Sequence, residues 1–422
     1  MAEKFQTLPG FRDFYPADCA ARNYVFDRWR AVARRYGFIE YEAPVLEPTD
    51  LYKRKSGDEI VHQLFRFTDK GDRDVSMRPE LTPSLARMAA ARQRDFKKPL
   101  KWFSIGQFFR YEKQQKGRGR EFYQFNCDIL GESSPAADAE LIALAIDLMR
   151  DFGFAEKDFA IRLSDRGAWT DFAARAGVPE EKTTEFLQAI DKLEREKPEK
   201  TAAKLAELGV SLDEVRALIA SGDASVSPGL AAIRADLEAR GLGGFVRVDL
   251  GIVRGLAYYT GPVFEVFDIG RGMRAVAGGG RYDALVDLIG GVDLPACGFA
   301  MGDMVVTDLI RETPAANERL EEGIASEQNL DVFVVVADES RRSEALGIVQ
   351  RLRRDGYRTG YAYAGAKPAK QFQAAEQQGA QIAVVVGAEF PVVTVKNLPI
   401  RLETTCRIED FDAELTRLLM PS

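Results

Sequence analysis

Arg110 stands at the end of a run of strand-forming residues, Lys101 to Arg110, and a second such run opens at Glu121 and continues to Leu130. Between them lies a glycine-broken basic loop carrying Lys113, Lys116, Arg118 and Arg120. Strand, cationic loop and return strand suit the gripping of phosphate, because an arginine offers two parallel N–H donors to phosphate oxygens where lysine offers a point charge. From Arg92 to Arg120 there are ten Lys/Arg against two Asp/Glu, a local net of +8 in a chain whose formal net charge is −7. Charge gathered in this way marks a place where a polyanion is met. A solvated basic hairpin has the same composition, so the neighbouring residues have to decide.

Three other segments could carry chemistry. Met77-Arg78-Pro79-Glu80-Leu81-Thr82-Pro83 puts a carboxylate beside a hydroxyl on a proline-stiffened turn. Such a pair can hold an ammonium group, and Thr82 before Pro83 fits a helix N-terminus equally well. Val253-Arg254-Gly255-Leu256-Ala257-Tyr258-Tyr259-Thr260-Gly261 places two tyrosines side by side behind an arginine. On a strand their rings would face opposite ways, and Arg254 suits an anionic ligand. Gly278-Gly279-Gly280 before Arg281 lets backbone approach a ligand closely, although a plain bend uses the same residues.

The elements that must position these residues are partly legible. Arg22 to Tyr36 carries apolar residues at helical spacing, and Ala136 to Phe152 reads as an amphipathic helix. Phe38 to Leu46 reads as a strand whose Pro44 suits an edge or an interface. From Asp165 to Arg240 short helical patterns replace strand signals and suggest an inserted helical subdomain. Strands are expected again at Phe245 to Leu250 and Ala257 to Phe267. A polar stretch, Asn317 to Asn329, reads as a linker. Beyond it, Asp331 to Val336, Arg358 to Tyr363 and Gln381 to Val386 alternate with helical patterns, which predicts a small, mostly parallel sheet covered by helices.

Composition bounds the answer. A chain of 422 residues, 46% hydrophobic and 29% charged, is that of an ordinary enzyme with two or three cores and no apolar run long enough for a membrane span. The first residues lack the apolar core of a signal peptide, so a cytoplasmic location is expected. Cys19, Cys127, Cys297 and Cys406 are scattered and His62 is the single histidine, which speaks against zinc sites and redox dithiols. No metal-ligand set is assigned.

Taken together and in this order, the segments resemble the histidyl-tRNA synthetase family of class II aminoacyl-tRNA synthetases. Leu8-Pro9-Gly10-Phe11-Arg12-Asp13 is similar to the family's N-terminal segment, Pro44 to the proline of motif 1 at the dimer interface, and Phe109 to Gln124 to motif 2. Val253 to Glu265 and Ala277 to Asp283 resemble the two segments peculiar to the histidine enzymes. The fold implied is α+β: an antiparallel sheet flanked by helices over residues 1–325, a helical insertion at 165–240, and a C-terminal α/β anticodon-binding domain at 330–422.

The resemblance implies ATP-dependent activation of L-histidine and its transfer to tRNA(His) by a homodimer without membrane attachment. Arg110 and Arg254 would be the catalytic cations at the α-phosphate and would also meet the histidine carboxylate. Glu80 and Thr82 would hold the substrate ammonium, with Leu81 between them also counted among the histidine-binding residues; Gln124, Asp128, Tyr258 and Tyr259 would enclose the imidazole. Phe122 would stack on adenine, Glu112 would accept from its amino group, and Mg2+ would bridge the phosphates. Gln115, Lys116 and Arg118 would meet tRNA.

The chain departs from the family pattern at three places. Asp128 stands where glutamate is usual, Ala257 where aspartate is common, and Val305 where motif 3 has the arginine that grips the γ-phosphate. Arg281 or Arg274 is expected to compensate for Val305. A rival reading is a histidine-sensing, synthetase-like regulatory subunit of ATP phosphoribosyltransferase. Such subunits typically lack the C-terminal domain and often lose ATP-gripping arginines. An RNA-binding protein without catalysis leaves the Glu80/Thr82 and Tyr258/Tyr259 groupings unexplained.

Overall fold

The structure is a computed structural model that describes residues 5–56, 58–113, 117–193, 196–253, 258–270 and 275–419. Gln115, Lys116, Arg254, Ala257 and Arg274 lie outside the described residues. Two compact units divide the chain: Arg22–Leu320 with the N-terminal arm to Asp13, and Glu321–Ser422 with Phe14–Ala21.

The first unit contains strands β1 (Ile39–Glu40), β2 (Leu46–Pro48), β3 (Arg66–Thr68), β4 (Asp74–Met77), β5 (Leu100–Phe109) and β6 (Glu121–Leu130). It continues with β7 (Phe159–Asp165), β8 (Val246–Val248), β9 (Pro262–Asp268), β10 (Ala277–Arg281) and β11 (Ala296–Gly302). Eight of them form one sheet in the order β1-β5-β6-β11-β10-β9-β7-β8, and β2-β4-β3 form a small second sheet. From β5 to β7 the large sheet is antiparallel, with one parallel strand added at each edge.

The β5/β6 hairpin is the backbone of this unit. Its register runs from Leu100 opposite Leu130 to Phe109 opposite Glu121, as the two apolar-rich runs predict. Side chains alternate along a strand. Phe125, Cys127 and Ile129 of β6 are therefore buried on one face, where Trp29 stacks on Phe125. Phe122, Gln124, Asn126 and Asp128 share the other.

Several expected elements differ. Of the Phe38–Leu46 run, Ile39–Glu40 pair in parallel with β5 and Leu46 pairs with Met77 in the small sheet; the chain leaves the large sheet ahead of Pro44, which has no N–H to give a ladder. The strand expected at Ala257–Phe267 covers Pro262–Asp268. Helix Pro135–Phe152 is not amphipathic: twelve of its eighteen residues are buried, because it packs on the sheet and is itself covered by helix Pro228–Ala239. Helices Arg166–Arg175, Thr183–Asp191, Pro198–Glu207 and Leu212–Ser221 precede that one. The expected linker at Asn317–Asn329 belongs to a helix, Pro314–Gln328, which buries Ala316 and Leu320 four residues apart and starts at a proline suited to a first turn.

The second unit has strands β12 (Val332–Val336), β13 (Thr359–Tyr361), β14 (Ile382–Val386), β15 (Val392–Asn397) and β16 (Leu402–Arg407), in the order β13-β12-β14-β15-β16. β12 pairs in parallel with both neighbours, whereas β14, β15 and β16 are antiparallel. The sheet is thus mixed rather than mostly parallel. Its core joins Val332, Val334 and Val336 to Ile348, Leu352, Phe411 and Leu415 of the covering helices.

Candidate active site

The cavity of about 1360 Å³ in the first unit is floored by β6, β10 and β11 and walled by the turn before helix Thr82–Arg92. Glu80, Thr82, Arg110, Glu112, Arg118, Phe122, Gln124, Asp128, Tyr258 and Tyr259 all line it. These residues come from three stretches of sequence, the Glu80–Thr82 turn, the hairpin from Arg110 to Asp128 and the tyrosine pair, and the fold brings them to one place.

Arg110 directly follows Phe109, the last paired residue of β5. Its backbone N–H donates to Arg120 O at 2.9 Å, which closes the hairpin mouth. Its Nε donates to Pro79 O at 2.9 Å, and its guanidinium carbon lies 5.1 Å from the Phe122 ring centroid. One hydrogen bond therefore fixes this cation against the Pro79–Thr82 turn, with an aromatic ring beneath it. Thr82 is the first residue of its helix and Leu81 occupies the N-cap without a side-chain cap bond, so Thr82 does not take the cap position expected for it. Leu81 points away: it is buried with Ala43 and Phe108, and only its neighbours Glu80 and Thr82 face the cavity.

The far wall is aromatic and acidic. Asp128 is 5% exposed, and the Tyr282 hydroxyl donates to its Oδ1 at 2.5 Å. Burial pushes this carboxyl up to about 7, against the lowering effects of the Tyr282 hydrogen bond and the Lys55 charge. Tyr258 and Tyr259 have ring centroids 4.5 Å apart, and Tyr258 meets Tyr282 edge-on at 6.1 Å. The two tyrosines sit in a turn and irregular segment rather than a strand, which is how both rings reach the same wall.

Glycines let the strands close on this site. A Cβ added at Gly298, opposite Asp128 on β11, would lie 1.9 Å from Asp128 Oδ1. One at Gly279 would lie 2.1 Å from Gly298 O. The glycine triplet is therefore a strand, β10, whose bare backbone permits the close approach.

Arg281 corrects an expectation. It is 5% exposed; its Nε and Nη2 donate to Asp138 at 3.1 and 2.5 Å, and its Nη groups also reach Glu132 O, Ser134 O and Asp283. Its donors are committed to the start of helix Pro135–Phe152, and it does not line the cavity. It cannot stand in for an arginine at Val305. The cation beside Val305 is Arg118: both line the cavity, a Cβ on the adjacent Gly117 would come 3.1 Å from Val305 Cγ2, and Arg118 Nη1 donates to Glu112 Oε2 at 3.0 Å. Next to them Asp303 accepts from Tyr123 N–H at 2.9 Å and pairs with Arg12 at 2.8 Å; burial raises its carboxyl above the ordinary range, against the pull of Arg12.

Two lining residues escaped sequence reasoning. Lys55, with a fully buried side chain, is ion-paired with Glu80. Asn126 is 6% exposed, and its Nδ2 has no partner within the described residues. For Asn126 a signal existed in the alternation Phe122, Gln124, Asn126, Asp128 along one strand face. For Lys55 there was none, because its partners are distant in sequence.

Comparisons with known proteins identify relatives of this chain. The family model described as Histidyl-tRNA synthetase matches residues 10–304, and the Anticodon binding domain model matches residues 331–418. A protein of Opitutus terrae named Histidine--tRNA ligase is 43% identical over 435 aligned positions, covering 97% of each chain. One of Haloarcula marismortui with the same name is 37% identical, covering 98% of each. Among solved structures, a histidyl-tRNA synthetase from Nostoc sp. PCC 7120 superimposes with a TM-score of 0.79 at 23% identity, covering 98% of this chain and 99% of that one. An ATP phosphoribosyltransferase regulatory subunit/histidyl-tRNA synthetase from Bacillus halodurans gives 0.71 at 20% identity, covering 91% and 99%.

Proposed function

This chain belongs to the histidyl-tRNA synthetase family, and we propose that its cavity joins L-histidine to ATP and passes the activated amino acid to tRNA(His). It is a histidine–tRNA ligase. The observation that carries the site assignment is the fastening of Arg110 to Pro79 O, which sets a phosphate-binding cation beside Glu80 and Thr82 in a cavity that also holds Asp128.

In the first step the histidine carboxylate oxygen attacks the α-phosphorus, and pyrophosphate leaves. Arg110 neutralises the charge that builds on the α-phosphate, and being already fixed it needs no reorganisation as the charge develops. Arg254 is the second cation assigned here. Glu80 and Thr82 take the ammonium, and Gln124, Asp128, Tyr258 and Tyr259 enclose the imidazole. A ring held by hydrogen bonds at its nitrogens excludes analogues that lack them, since buried polar groups would be left unpaired. In the second step a hydroxyl of the terminal adenosine attacks the carbonyl carbon, and AMP leaves.

Phe122 and Glu112 take the adenine, and Arg118 the outer phosphates, in addition to its assigned part with Gln115 and Lys116 in meeting tRNA. Among the described residues no three metal-ligating side chains cluster. Mg2+, which would neutralise phosphate charge, would therefore be bound chiefly by the nucleotide, with Glu112 and Glu265 as carboxylates on the cavity wall.

The dimer assignment rests on apolar side chains left outside. Ile39 on the edge strand β1, Val45 and Leu46 beside Pro44, and Phe67 on β3 are all exposed. Exposed apolar side chains of this kind suit an interface between copies. No helix among the described residues is long and apolar enough to cross a membrane. We infer a cytoplasmic location from its tRNA substrate.

The regulatory reading is less supported, because the 43% identical relative is named a ligase and the anticodon-binding model matches the second unit. Charging of tRNA(His) with labelled histidine tests the function: acid-stable, base-labile histidyl-tRNA is expected, and tRNA(His) left uncharged at saturating ATP contradicts it.

A further inference from the structure

Lys55 lies near the end of helix Thr49–Ser56 with its side chain fully buried in the cavity wall. Its ammonium is paired with Glu80 Oε2 and lies 3.9 Å from the centroid of the Tyr258 ring. Its charge also bears on Asp128. The titratable groups that face it are thus Glu80 from the turn before helix Thr82–Arg92, Tyr258 from the segment before β9, and Asp128 from β6. Tyr282 is bonded to Asp128, and Tyr52 lies one turn earlier on the same helix, within the field of Glu80.

A buried lysine is costly, and removing one partner of a buried pair leaves the other uncompensated. The reaction already brings its own ammonium to Glu80, so a resident second cation at that carboxylate has to serve another purpose. Charge counting shows which. With histidine bound, the negative groups are Glu80, ionised Asp128 and the substrate carboxylate. The positive groups are the substrate ammonium, Arg110, the assigned Arg254 and Lys55. The sum is +1 when the imidazole is neutral and +2 when it is protonated. Without Lys55 each sum falls by one, and protonating the ring costs less. An excess charge in a site screened from water is strongly unfavourable.

We propose that Lys55 sets the charge of the amino-acid pocket so that it accepts histidine with a neutral ring and rejects the imidazolium form. Lys55 acts here as a specificity-determining residue without touching the reacting atoms. The inference rests on the reading of Glu80 and Asp128 as partners of the ammonium and the ring.

The test is calorimetric binding of L-histidine and of its 1,2,4-triazole analogue, whose ring stays uncharged over the range, to the full-length protein without ATP. For the wild type, histidine affinity should fall about tenfold from pH 7.5 to pH 5.5, following the neutral fraction of a group with a pKa of about 6.5. The analogue should stay nearly constant, which separates ring protonation from titration of Asp128. In Lys55→Met the loss for histidine should shrink to less than about threefold, and Lys55→Arg should restore it, since only the charge is at issue. Retention of the full loss in Lys55→Met overturns the proposal. Should that variant fail to fold by circular dichroism, the wild type still decides: equal pH dependence for histidine and the analogue overturns it. If the wild type binds neither amino acid, the assignment of the cavity fails and the role of Lys55 fails with it.

Discussion

The Tyr282 hydroxyl lies 2.5 Å from Asp128 Oδ1, so the one acidic group on the ring-facing wall is held by a phenol as deeply buried as itself. Neither residue is near the other in sequence. Their meeting follows from the pairing of β6 with β11 and of β11 with β10, with Tyr282 immediately after β10 and Gly298 leaving room between.

That relationship has a pH consequence. Burial raises the Asp128 carboxyl from the ordinary 3.8 to about 7. A carboxyl whose pKa rises on folding contributes its stability while protonated, below about 4, and loses it as the pH climbs through 7. Asp128→Asn mimics the protonated form and keeps a partner for Tyr282. Its melting temperature relative to wild type should therefore rise between pH 5 and pH 8, on the order of 2–4 kcal/mol in stability. A difference that stays constant with pH would contradict the assignment. Histidine activation by the same variant should fall at least about tenfold, because a neutral ring N–H loses its charge-assisted bond to the carboxylate.

Arg281→Gln tests a structural role against a nucleotide one. With its cation gone, Asp138 would be left buried without its charge partner, and breaking such a pair costs about 3–5 kcal/mol. Urea denaturation should show that loss, while the folded variant keeps a KM for ATP within about twofold of wild type, as expected for a group that does not line the cavity. A large rise in KM for ATP with unchanged stability would return Arg281 to the nucleotide.

Arg118→Ala should raise the KM for ATP by about tenfold in a reaction without tRNA, since a charge-assisted bond to phosphate would be lost. If only tRNA charging changes and the tRNA-free reaction does not, Arg118 belongs to the RNA contact alone.

Asn126→Leu separates binding from stability at one position. Its Nδ2 has no partner within the described residues, so an apolar replacement of similar volume should leave stability unchanged or slightly raised. The KM for histidine should nevertheless rise several-fold, about 1 kcal/mol for one lost hydrogen bond. Thermal melts and steady-state kinetics on the same preparation check both halves.

The β5/β6 hairpin, the Arg110 position and the Glu80/Thr82 turn were legible because each depends on local pattern: alternation, a strand end, a proline-stiffened turn. Lys55 and Arg281 were not. The roles of both are set by partners 25 and 143 residues away, Glu80 and Asp138, and nothing in a local window distinguishes a committed arginine from an available one. Helix Pro314–Gln328 was mistaken for a linker because only Ala316 and Leu320 are buried among polar neighbours. Helix Pro135–Phe152 looked amphipathic because its second covering layer, helix Pro228–Ala239, comes from a distant segment.

We propose that this cavity activates histidine with ATP although Val305 stands where motif 3 has an arginine. Exchange of labelled pyrophosphate into ATP, without tRNA and with each amino acid supplied in turn, addresses it directly. Exchange that depends on histidine, and that falls at least about a thousandfold in Arg110→Ala, is the result expected from loss of a fixed transition-state cation. A chain that binds histidine yet shows no exchange at saturating ATP and magnesium would contradict the account.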